Sequence, residues 1–85
     1  AAGAQRAAEM VERFASVVPA AVTEDLRDLN AHREWGVAFS ILCAVLAQEN
    51  VPLDASDLAY LRELGDRWDP PRCPVNWARL EELVR

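Results

Sequence analysis

The sequence predicts an all-α fold, a compact bundle of about five helices around a central apolar helix at residues 33–49. Three observations point there. Apolar residues recur at helical spacing in most segments, no segment sustains the period-two alternation of a strand, and Pro and Gly fall between the periodic stretches. At 85 residues the chain is one domain's worth, spanning 1–85, with residues 1–4 expected to be disordered or added to the natural terminus. A chain of this size buries roughly 60–65% of the surface its unfolded form exposes.

The first helix is expected over residues 5–18, where Ala7, Met10, Val11, Phe14 and Val18 share a face and Arg6, Glu9, Glu12 and Arg13 oppose it. Pro19 should stop it. Thr23 is expected to cap a short second helix over 24–31, with Glu24 and Asp25 near its positive end and Leu26 and Leu29 inward. Asn30-Ala31-His32 reads as a joint. The central helix, Arg33–Glu49, then carries Trp35, Phe39, Leu42, Val45 and Leu46 on one side and Val37, Ile41 and Ala44 on another. A helix apolar all round is expected to be the one its neighbours surround. Glu34 falls in its first turn, and Gly36 should be compensated by something packed close to it, since Gly costs roughly 1 kcal/mol against Ala in a helix.

Asn50, Val51 and Pro52 end that helix, and Asp54 opens the next, with Asp57 placed as a capping-box acid. Leu58, Leu61, Leu64 and Trp68 line one face of residues 55–68, and Gly65 should weaken the last turn. Residues 69–75, with three prolines, are expected to be a loop. Asn76 should cap a final helix over 77–84 with Trp77, Leu80, Leu83 and Val84 inward.

Fourteen acids against nine bases give a net charge of −5, and all nine bases are arginine. No Lys/Arg cluster offers a surface to nucleic acid or to an anionic membrane. The apolar run from Trp35 to Ala47 is too short to span a bilayer. The first ten residues have no basic start followed by an apolar stretch, so no leader is expected and the location should be cytoplasmic. Cys43 and Cys73 form no CxxC and His32 completes no ligand set, so neither metal nor other cofactor is expected. His32 and Glu34 do not share a helical face, and no nucleophile accompanies them, so catalysis is not expected. Ser56 lacks the Asp before it and the Leu after it that mark a phosphopantetheine-bearing serine.

The stretch EWGVAFSILCAVL, the loop Val51-Pro52-Leu53 and the helix DLAYLRELGDRW together resemble the MafI-like family of small bacterial immunity proteins. Glu34, Trp35, Gly36 and Ala38 match its E-aromatic-G-x-A pattern, and Leu58, Leu61 and Leu64 its leucine helix. The resemblance covers about residues 24–68. It implies a domain that neutralises a cognate secreted toxin, often a nuclease with a basic cleft. An acidic inhibitor would suit that cleft, as a monomer or weak homodimer. The partner-binding residues expected on this reading are Asp25, Asp28, Glu34, Asp66, Trp68 and Asp69. Asp66 and Asp69 stand out because acids late in a helix face its negative end. Trp68 stands out because a tryptophan beside a proline loop is placed to anchor a partner. The alternative function is a helical docking domain that binds its partner through an apolar groove.

Overall fold

The computed structural model describes residues 2–68 and 75–85. Five helices follow in order: α1 (Ala2–Phe14), α2 (Ala20–Ala31), α3 (Trp35–Gln48), α4 (Ala55–Trp68) and α5 (Trp77–Glu82). The fold is an all-α bundle, as the periodicity predicts. Helix α3 touches each of the other four. Its Ala38, Phe39, Leu42 and Leu46 have no exposed surface, and Met10, Leu26, Leu61, Leu80 and Leu83 close over them. Burying each large side chain contributes about 1.5–3 kcal/mol.

Helix boundaries differ from the expectation at both ends of α1, at the starts of α2 and α3, and by one or two residues at the ends of α3 and α5; Ala2, Gly3 and Ala4, expected to be disordered or added, belong to α1. Helix α1 ends at Phe14, and a turn carries the chain on, with Val17 N–H donating to the Phe14 carbonyl at 3.1 Å. Val18 still reaches the core, but from the turn. Pro19 is the N-cap of α2 and its carbonyl accepts from Val22 and Thr23, so α2 begins four residues before the expected start at 24. A proline needs no donor partner there, and its fixed φ suits the helix entry. Thr23 is therefore not a cap; it is buried inside α2. Helix α3 begins at Trp35, so Glu34 is its N-cap and lies outside the first turn.

The fourth and fifth helices start where the sequence places them. Asp54 Oδ1 accepts from Asp57 N–H at 2.8 Å while Asp57 Oδ2 accepts from Asp54 N–H at 3.2 Å, a reciprocal capping box. Asn76 Oδ1 accepts from Arg79 N–H at 3.1 Å. After α5, Val84 forms a single parallel bridge with Leu53, through Leu53 N–H to Leu83 O and Arg85 N–H to Leu53 O, both 2.9 Å. The expected loop over 69–75 lies, except for Val75, outside the described residues.

Two glycines admit tryptophan rings. A Cβ on Gly65 would stand 2.5 Å from Trp77 Cζ2, so the glycine expected only to weaken α4 is what lets α5 dock. Phe39 meets the same ring at a centroid distance of 6.3 Å. A Cβ on Gly3 would likewise collide with the ring of Trp35. Arg79 fastens α5 to the end of α3, donating to the Ala47 carbonyl at 3.2 Å and to Asn50 Oδ1. A cation there also meets the negative end of the α3 dipole. Arg13 joins α1 to α4 by pairing with Asp57 at 3.0 Å and lying 4.5 Å from the centroid of Tyr60. Burial, with Glu9 nearby, pushes the Tyr60 phenol above its ordinary range.

Candidate functional site

The α2–α3 corner is built by a tight joint. Glu34 N–H returns to the Leu29 carbonyl at 2.9 Å, and Arg33 N–H to Asn30 at 3.1 Å. Arg33 takes φ 60°, a left-handed conformation uncommon outside glycine, which lets the chain reverse within three residues. On α2, Thr23 and Leu26 are buried and Val22 and Leu29 pack on the core, so the helical period turns Glu24, Asp25 and Asp28 to solvent. Just past the joint, Glu34 is exposed as well.

Among the described residues, Asp28 alone of these acids has an ion-pair partner, His32. Arg27, on the same helix, reaches away to Glu12 of α1 at 2.7 Å. Arg13 is held by Asp57, Arg62 by Glu81 and Arg79 by Glu82. Among the described residues no arginine forms an ion pair with Glu24, Asp25, Asp28 or Glu34. Asp28 has only His32 beside it, with Nδ1 at 2.9 Å from its carbonyl and 3.9 Å from its carboxylate, both side chains largely exposed. Exposed pairs of this kind contribute little to stability, so the acids are placed by the helix and not by partners.

Trp68 is half-buried, its ring centroid 6.3 Å from that of Trp35. The Trp35 ring in turn covers Gly3, so it links the start of α1 to the end of α4, next to Glu34. Trp68 therefore braces this end of the bundle. Asp66 is exposed, but two residues from Trp68 it points to the other side of α4. Of the six expected partner-binding residues, Asp25 and Asp28 lie on the exposed side of α2, Glu34 lies just past the joint that follows it, and Trp68 packs against Trp35. Asp66 lies apart, and Asp69 lies outside the described residues.

The sequence did not indicate an outward face on α3. Val37 and Ile41 are 39% and 37% exposed and Ala44 is exposed too, so this helix is not surrounded. A groove of about 150 Å³ runs beside them, lined by Ser40, Cys43, Ala44, Ala47, Val75 and Asn76. Periodicity alone hides such a face, because α3 is apolar in every direction. Among the described residues, no three His, Cys, Asp or Glu side chains converge as metal ligands, and no helix is long and apolar enough to cross a membrane. No family model, curated protein or solved structure matches this chain.

Proposed function

We propose that this domain is an immunity protein that binds a cognate basic toxin in the cytoplasm and occludes its active site without itself catalysing a reaction. The observation that supports the reading is the group of exposed acids Asp25, Asp28 and Glu34 around the α2–α3 joint, which among the described residues form no ion pair with an arginine, while Arg13, Arg27, Arg62 and Arg79 are engaged with other acids. A basic cleft is the surface such a corner complements, and like-charged competitors are repelled by it. The E-W-G-x-A resemblance beginning at Glu34 supports the same reading, with the domain acting as a monomer or weak homodimer. A second reading, a docking domain that takes its partner through an apolar groove, is favoured by the exposed stripe and groove of α3.

Co-expression with the product of the open reading frame directly upstream tests this. Cells should survive only when this chain is present, and the two proteins should co-purify. The charge-reversed variant Asp25→Lys/Asp28→Lys should bind at least about tenfold more weakly. A neighbour that is harmless alone would end the immunity reading in favour of the docking domain. A toxin held equally well by the reversed variant would move the site off this corner.

A further inference from the structure

Along the outward side of α3, Glu34, Val37, Ile41, Ala44 and Gln48 succeed one another at steps of three, four, three and four residues. That is the spacing with which one helix presents a seam to another. The seam runs about 21 Å from Glu34 to Gln48. Two sizeable apolar side chains occupy its middle, and the small Ala44 and Ala47 border the groove beside it. Exposed acids close both ends, Glu34 before α3 and Glu49 after it, and neither meets an arginine in an ion pair among the described residues.

We propose that this face docks one amphipathic helix of a basic partner. The helix would lay a Leu- or Ile-type stripe over Val37, Ile41 and Ala44 and carry Lys or Arg at both ends to meet Glu34 and Glu49. The inference deepens the reading above, because it supplies the apolar part of an interface whose charged part is the adjoining α2–α3 corner. A second copy of this chain is the poorer occupant. Two chains each at −5 repel, and Glu34 and Glu49 of one copy would face the same acids of the other.

The test uses the ¹⁵N-labelled protein and two synthetic helical peptides about three heptads long with the same leucine stripe. One ends in lysine pairs, the other in glutamate pairs. The lysine-ended peptide should shift the amides of Val37, Ile41, Ala44 and Ala47, and the glutamate-ended one should bind at least about tenfold more weakly. Ile41→Lys should abolish the shifts without lowering the melting temperature. Shifts confined to other helices, or equal binding of the two peptides, would overturn the proposal. So would concentration-dependent shifts of the same amides without peptide, which would assign the face to a homodimer. In the toxin assay, an Ile41→Lys variant that protects like the unchanged protein would overturn the seam and leave immunity standing. A harmless neighbour together with specific lysine-peptide binding would do the reverse.

Discussion

Thr23 sits in α2 with its Oγ1 buried and, among the described residues, without a hydrogen-bond partner. A hydroxyl that gives up water and gains nothing costs the domain stability, whereas the isosteric Val leaves no polar atom behind. Thr23→Val should therefore raise stability by about 1 kcal/mol, visible as an upward shift of roughly 4–8 °C in the thermal midpoint of a domain this size. A fall on substitution would mean that the hydroxyl is held after all. The same residue shows a limit of reading the sequence. A threonine followed by two acids has the composition of a helix start, and only the position of Pro19 at the N-cap puts it inside the helix. Gly65 teaches a similar lesson: its local effect on α4 was legible, but the Trp77 ring that needs its missing Cβ comes from twelve residues further on.

Among elements, those with strong local signals were the legible ones. The starts of α4 and α5 follow from Asp54, Asp57 and Asn76, whose side chains reach backbone donors only a few residues away. The inward residues of α1, α4 and α5 follow from amphipathic spacing. Helix α3 has no polar side to orient it, so its length was readable and its exposed face was not. The α4 cap also carries a pH signature. Hydrogen bonds from the Ser56 hydroxyl and the Asp57 N–H hold the Asp54 carboxyl below its ordinary value. A carboxylate whose folded pKa is depressed stabilises above the unfolded value of about 4, and the contribution is lost as pH falls through the folded one. The stability gap between the unchanged protein and Asp54→Ala should thus be widest near neutrality and narrow in acid. Denaturant melts at both ends of that range decide it, and a gap that widens on acidification would reject the charged cap.

At the scale of the whole molecule, the net charge of −5 has an uneven pattern, because four arginines pair with acids elsewhere while the α2–α3 joint carries the exposed acids Glu24, Asp25, Asp28 and Glu34 beside His32 and Arg33. The charge of Asp25, Asp28 and Glu34 was legible from the sequence; the reversal that separates α2 from Glu34 was not, since it depends on the left-handed turn at Arg33. A corner of one sign steers an oppositely charged partner during diffusion, and that steering acts over distances that salt screens, about 10 Å at 0.1 M. The apolar seam on α3 acts only after contact and is insensitive to screening. The two parts of the interface therefore separate kinetically. On the proposed immunity reading, the association rate with the toxin should fall on the order of tenfold between low and high salt, while the dissociation rate changes little. Stopped-flow mixing that follows tryptophan fluorescence measures both. An association rate indifferent to salt would remove the acidic corner from recognition and leave the face of α3 to hold the partner alone.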